Sequence, residues 1–348
     1  MPDAKCLTAP FLCLCLSGCA PDSGVPELMD GYVAQVAEAL KLDPALSDVA
    51  PVPQIPRRRE RYLDMPDLDM GMLDFLSLYG CELQYVVGER NSIMGRVMQP
   101  LNRLRYETRF IRAAEDCIPE ADREGVKEEL EEAIKSKIET LPIAIWNATW
   151  GVEEVERLFT LSQGYFPRGS EGDPVAELAM GVRQLNQTVA SLLDGNTDEP
   201  LDYVGEIHQR WQAEHRAGQL MNSARLLTTR LDDATALLAE RVEAGPLCPE
   251  EGAEVPPALR GAYADGYAGG VQTYLKGVQQ AREALIEPLE KLAVQQADTM
   301  PAPFREWYRQ YLDTGNTDSL WGQLDRAIEA HDQRWRQLLS QCVVSTDL

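Results

Sequence analysis

Apolar residues recur along most of this chain at intervals of three and four, the spacing that gathers them on one face of an α-helix. Tyr32, Val36 and Leu40 form such a stripe over 26–41. Met72, Phe75, Leu76, Tyr79 and Leu83 form the next, over 67–89, and an Arg- and Leu-rich helix is predicted over 99–114 behind Pro100. From Pro119 to Leu141 the stripe is Val126, Leu130, Ile134, Ile138 and Leu141. Glu120 and Asp122 there favour the positive end of the helix dipole, Glu131 and Lys135 form an i,i+4 pair, and Pro142 predicts a kink. Over 173–195, Asp173 can cap, Pro174 fits the first helical position and Gly195 can end the helix with a positive φ. Leu178, Val182, Leu185, Val189 and Leu192 line its face. Residues 201–243 read as one long helix with the stripe Val204, Ile207, Trp211, Met221, Ala224, Leu231, Ala234, Leu238 and Val242. A second long helix runs from Leu259 to Ala297, bent at Pro288, and a last pair covers 303–313 and 317–342.

No segment alternates with period two. The predicted fold is therefore all-α, an irregular multi-helix bundle with one or two helices of about 40 residues. It would occupy 26–348, divisible into sub-bundles 26–196 and 197–348. Prolines at 44, 51, 53 and 56 predict an extended crossing segment, because each fixes φ and removes a donor. It ends in Arg57-Arg58-Arg59-Glu60-Arg61. That basic knot can meet anionic headgroups or the chain's own acidic helices; the second is preferred, since intramolecular carboxylates are plentiful. Composition agrees with a packed domain: 44% hydrophobic and 26% charged residues, the ordinary globular range. The net charge of −23 repels phosphate backbones and argues against a nucleic-acid partner.

The N-terminus reads as a targeting signal. Its apolar stretch, Cys6–Leu16, is far shorter than the roughly 20 residues a spanning helix needs, and small residues follow it. Leu16-Ser17-Gly18-Cys19 resembles the lipobox of bacterial lipoproteins at every position. The resemblance implies cleavage after Gly18, removal of 1–18 and acylation of Cys19, with 19–25 as a tether. Several acyl chains anchor a protein stably. Ala20 stands where Asp would signal inner-membrane retention, so the resemblance implies the periplasmic face of the outer membrane. Lys5 is offset by Asp3 and Pro10 interrupts the apolar stretch, two departures from a typical leader.

Of eight cysteines, Cys6, Cys13 and Cys15 would leave with the leader and Cys19 would be the anchor. Cys81, Cys117, Cys248 and Cys342 remain. In an oxidising compartment an even count suggests disulfides. Three pairings are open; Cys81–Cys117 with Cys248–Cys342 fits two successive sub-bundles. The alternative is four buried thiols.

Candidate chemistry is sparse. The three histidines are His208, His215 and His331. His208, Trp211 and His215 would share one face of a continuous helix and could line a ligand pocket. The two histidines lie seven positions apart, too far for one metal, and a single helix supplies too few ligands. A packed histidine–tryptophan layer is preferred, with no metal and no cofactor. HExxH, G-x-S-x-G and P-loop motifs do not occur. Ser170, flanked by Gly169 and Glu171, reads as loop. The glycines from Gly261 to Gly270, with Tyr263 and Tyr267, fit either a mobile lip or close helix contact. A weak self-similarity links Leu201-Asp…Glu206-x-His208-Gln-Arg-Trp211 to Leu324-Asp…Glu329-x-His331-Asp-Gln-Arg-Trp335; the inserted residue turns a helix by about 100°, and chance is the better explanation.

Leu73-Asp-Phe-Leu-Ser-Leu-Tyr-Gly-Cys81-Glu-Leu-Gln84, then Gly88-Glu-Arg-Asn-Ser92, Gly95-Arg-Val-Met98 and Leu104-Arg-Tyr-Glu107, resemble a family of Gram-negative lipoproteins known as a domain of unknown function of about this length. The resemblance implies a lipoprotein and no activity, and Cys81 and Cys117 fit it. Arg90, Asn91, Arg96 and Glu107 could converge on a ligand; capping of the next helix by Asn91 and Ser92 is preferred. The expected function is a non-enzymatic helical scaffold or adaptor, lipid-anchored and binding other envelope proteins. The alternatives are an envelope hydrolase working through carboxylates and a small-ligand-binding or metal-binding lipoprotein.

Overall fold

A computed structural model describes residues 24–66, 81–92, 97–121, 123–169, 172–250 and 252–343. Cys19 and its leader, Met72, Phe75, Leu76, Tyr79, Arg96, Asp122 and Ser170 lie outside these described residues. Within them the fold is all-α, an irregular bundle. The one β feature is an isolated bridge, Glu254 to Val343.

Helix α1 spans Val25–Leu40. Lys41, at φ 59°, closes it by lending its N–H to the Glu38 carbonyl while Leu42 reaches back to Ala37. Met29, Tyr32, Val33, Val36 and Leu40 are buried on its inner face. The proline-rich stretch crosses the surface and plugs Val52 and Ile55 into the core. It leads to the short α2, Arg58–Arg61. Here the basic knot meets the protein's own acid. Arg58 pairs with Glu153 at 3.2 Å and Arg61 with Glu156 at 3.0 Å. The wholly buried Arg61 guanidinium also donates to the carbonyls of Pro56, Trp150 and Val152.

Helices α3 (Glu82–Asn91), α4 (Pro100–Cys117) and α5 (Glu124–Thr149) pack in succession. The long α5 runs on through Pro142 rather than ending there. The carbonyl that proline deprives of a donor belongs to Ile138, which is half exposed and so can turn to water. The helix also departs from the expected stripe beside it. Ile138 is 50% exposed and Lys137 is 3% exposed, because Lys137 finds a carboxylate on α4.

Then come α6 (Glu154–Leu158), α7 (Ala176–Leu193), α8 (Val204–Ala213) and α9 (Arg216–Glu243). In α7 the predicted stripe is buried and Gly195 takes φ 93°. Asp173 accepts from the Val175 amide at 2.9 Å, so it caps a turn feeding the helix, which begins later than expected. The single helix predicted over 201–243 is two. Glu214 is extended at φ −118° and ψ 133°. The His215 Nδ1 bonds the Arg157 carbonyl at 2.9 Å, and Gly218 lies so close to Thr160 that a Cβ would sit 2.1 Å from its carbonyl oxygen. Contact with the chain after α6 thus outweighs continuation of the helix.

The second long helix does form. α10 is continuous over 257–294, with π-helical turns at Ala262–Val271 and Arg282–Ile286. The first lies against α1, where Gly266 faces Tyr32 and Gln35, so the glycines serve close helix contact. The second precedes Pro288, whose missing N–H a wide turn accommodates. α11 (Ala302–Tyr311) and α12 (Leu320–Leu339) complete the chain, α12 with a Ser319 cap. α9 packs against both α1 and α12, and one hydrophobic core joins the described residues on both sides of residue 196.

The four cysteines pair as Cys81–Cys117 and Cys248–Cys342, with Cα–Cα distances of 5.8 and 5.3 Å. The first ties α3 to the end of α4. The second ties the loop before α10 to the end of α12.

Candidate functional site

α4 opens at Pro100 with no side chain capping its first turn, so the first-turn N–H groups have no partner within the helix. Two grooves flank that turn, and Gln99 and Asn102 line both. The first, about 440 Å³, is bounded by Arg58, Val152, Glu153, Glu154, Gly205 and His208. His208 is 8% exposed. Burial favours its neutral ring, against the opposing pull of Glu154 and the Ala148 carbonyl. That carbonyl is near enough to favour charge, yet no group stands in hydrogen-bonding geometry with Nε2.

The sequence grouped His208 with Trp211 and His215; the fold keeps the first two in ring contact and sets His215 apart. Trp211 packs on the His208 ring at 5.6 Å between centroids but is wholly buried in the core. His215 sits at the break between α8 and α9, bonded to Arg157. His208 is the member of the three that lines the groove beside α4. No cluster of three or more His, Cys, Asp or Glu side chains placed to hold a metal occurs among the described residues.

The second groove, about 800 Å³, lies between α3 and α4 and is lined by Val86, Glu89, Arg105, Tyr106 and Arg109. Arg109 is held by Glu82 at 3.2 Å and Glu89 at 2.9 Å. Beneath it, Glu107 is wholly buried, 2.5 Å from Arg103 Nε and 2.8 Å from Lys137 Nζ. Lys137 also stands 5.2 Å over the rings of Tyr106 and Phe110. Burial draws the Lys137 amine downward and Glu107 opposes it. Arg90 acts electrostatically on Tyr106 and Lys137. Glu107, Arg103 and Lys137 form an ion cluster joining α4 to α5, on which Arg90 of α3 acts electrostatically. Asn91 is the last residue of α3, and the Ser92 hydroxyl donates back to Glu89 at 2.7 Å. These two finish α3, and residues 93–96, which follow them, lie outside the described residues.

A larger polar network escaped the sequence reading. His331, wholly buried, lies with Nε2 2.5 Å from the Tyr32 hydroxyl and Nδ1 2.8 Å from Thr235 Oγ1. Trp335 Nε1 donates to Tyr32 Oη at 2.8 Å and to His331 Nε2 at 3.0 Å. With two donors at Nε2, the proton belongs on Nδ1, donated to Thr235. Burial pushes His331 down to about 3. The His-x-x-x-Trp spacing was the one available signal. Its weak copy at His208 and Trp211, one residue shorter, makes no such bond.

The Asp232 carboxyl is raised by burial and then by Asp233. Asp233 itself is bonded to Arg230 at 3.0 Å and Ser47 at 2.6 Å, a lock between α9 and the extended segment. The two do not form a facing catalytic pair.

The fold and these clusters define an all-helical domain whose buried charges join its elements. The chain matches, over residues 29–346, the family described as Protein of unknown function (DUF3080), and it belongs to that family. No curated protein and no solved structure matches it.

Proposed function

We propose that this protein is a bacterial envelope lipoprotein, held by acyl chains on Cys19 to the periplasmic face of the outer membrane, whose helical body is a non-enzymatic scaffold binding other envelope proteins. The cysteine pairing carries the reading: Cys81–Cys117 and Cys248–Cys342 suit an oxidising compartment, the one a lipobox leader would deliver the chain to. No helix among the described residues is long and apolar enough to cross a membrane, so attachment would fall to the acyl chains. The tether is short: Val25, wholly buried, already belongs to the core. The scaffold reading draws on the buried ions, since Arg61, Glu107, Lys137 and Arg230 each join one segment to another.

The test is palmitate incorporation and membrane fractionation of wild type against Cys19→Ala. Label and membrane association in the wild type, both lost in the variant, are expected. An unlabelled wild type, or a variant that stays with the membrane, overturns the anchor. For the scaffold, photo-crosslinkers at the exposed positions Tyr85, Ile138 and Met180 in intact cells should capture an envelope protein from one face; adducts to none from any face oppose it. A second reading, a small-ligand-binding lipoprotein, rests on the His208 ring, which lines a groove of about 440 Å³. Movement of the His208 ring signals by a metabolite panel tests it.

A further inference from the structure

A patch of isoleucines lies open where the end of α4 meets α5. Ile118, in the 3₁₀ turn that closes α4, is partly buried against the core. Ile134 and Ile138 stand one turn apart on α5, 9% and 50% exposed. The three line a groove of about 520 Å³, with Glu115, Glu131, Lys135 and Glu139 around them. Ile138 is turned outward because Lys137 is drawn inward to Glu107. That accounts for its exposure and not for its side chain, since a polar residue serves on a helix surface in water. A lone exposed isoleucine is ordinary, whereas apolar side chains gathered in one open groove and rimmed by charge mark a contact surface.

The floor repeats at the i,i+4 spacing of a helix surface, the ridge against which a second helix packs. The rim says which kind of helix. α5 forms two ion pairs among the described residues, Lys127–Glu124 at 3.8 Å and Lys137–Glu107 at 2.8 Å. Glu131 and Lys135, matched by their spacing, enter neither, and nor does Glu139. The rim thus offers three carboxylates against one ammonium, all exposed. Acidic occupants are disfavoured on that count. A second copy would bring the same three glutamates and a net charge of −23. The chain's own residues 67–80 are rich in apolar side chains but carry Asp67, Asp69 and Asp74 and no Lys or Arg. Anionic lipid headgroups meet the same repulsion. A basic helix with one apolar face satisfies both floor and rim.

We propose that the Ile118–Ile134–Ile138 groove docks a basic amphipathic helix of another protein. Its apolar face lies on the isoleucines, and its Lys or Arg side chains meet Glu115, Glu131 and Glu139. The inference rests on the scaffold reading and names the face that reading leaves open.

The first test uses a synthetic Leu/Lys peptide of about five helical turns, its leucines on one face. It is titrated into the full chain carrying 13C-labelled isoleucine methyls, with a peptide of the same composition in scrambled order as control. The amphipathic peptide should shift the Ile118, Ile134 and Ile138 methyl signals saturably and bind about tenfold tighter than the scrambled one. Ile138→Asn, a change at a half-exposed site, should weaken binding about tenfold. Glu131→Gln with Glu139→Gln should weaken it and flatten its salt dependence. Equal binding by the two peptides, shifts confined to other isoleucines, or undiminished binding to Ile138→Asn overturns the proposal. The second test places a photo-crosslinker at position 138 in intact cells and maps its adduct to residues. A Lys- or Arg-rich helical segment of an envelope protein is expected. An adduct on residues 67–80, on a second copy of this chain or on an acidic segment overturns the docking alone, as do adducts from positions 85 or 180 with none from 138. Adducts from no position overturn the scaffold reading with it.

Discussion

The His331 ring on α12 meets the Tyr32 hydroxyl on α1 at 2.5 Å, across 299 residues of chain. Thr235 on α9 takes the other ring nitrogen, so one imidazole joins three helices. Its neutral form is required by burial, which places its pKa near 3, below the ordinary 6.5.

The pH dependence of stability follows from that shift. Between about pH 6.5 and pH 3 the unfolded chain holds a proton on this residue that the folded chain does not. Stability from this group is therefore complete above 6.5 and is lost as pH falls, with a slope of about 1.4 kcal/mol per pH unit. His331→Gln should be less stable at pH 7 and should lose stability more slowly on acidification. Urea unfolding at several pH values measures it; parallel wild-type and variant curves would place the titration elsewhere.

The ion cluster of Glu107, Arg103 and Lys137 should be intolerant of single removals. Lys137→Met leaves a wholly buried carboxylate short of one partner and should cost about 3–5 kcal/mol. Glu107→Gln with Lys137→Met should cost less than the two single changes summed, since no charge is then stranded. Chemical denaturation of the three variants decides this; simple additivity would mean the pair is solvated.

The cysteine pairs are testable by mass and by stability. A non-reducing peptide map should link Cys81 to Cys117 and Cys248 to Cys342. Replacing Cys248 and Cys342 together by Ser should lower stability by about 3–5 kcal/mol, because the bond closes a long loop in the unfolded chain. A map linking other cysteines would refute the pairing.

Two glycines in helices should respond oppositely. Gly218→Ala drives a methyl against the Thr160 backbone, 2.1 Å from its oxygen, and should destabilise by about 2 kcal/mol or more. Gly277→Ala enters open space within a helix and should stabilise by up to about 1 kcal/mol. Thermal melting of each separates the cases, and a stable Gly218→Ala would mean α9 does not press on that loop.

The sequence by itself determined which stretches become helices and most of their inward faces. A stripe such as Leu178, Val182, Leu185, Val189 and Leu192 has one low-energy use: burial against another apolar surface. The nearest-neighbour cysteine pairs were legible too, given a bundle laid down in order. What only the tertiary structure decided was the outcome wherever a distant partner competes with local preference. Lys137 goes inside and the neighbouring Ile138 turns outward because Glu107 waits on α4. The helix over 201–243 breaks because Thr160 and Arg157 press on its middle. His215 leaves the His208 groove for the same reason: their shared face existed only while the helix was straight, whereas Trp211, on α8 with His208, turns wholly into the core. The bonds of His331 to Tyr32 and Thr235 could not be read at all, since an imidazole looks alike in sequence whatever partners its nitrogens find. Such groups gain their meaning from neighbours a hundred or more residues away, and hydrophobic spacing carries no record of those.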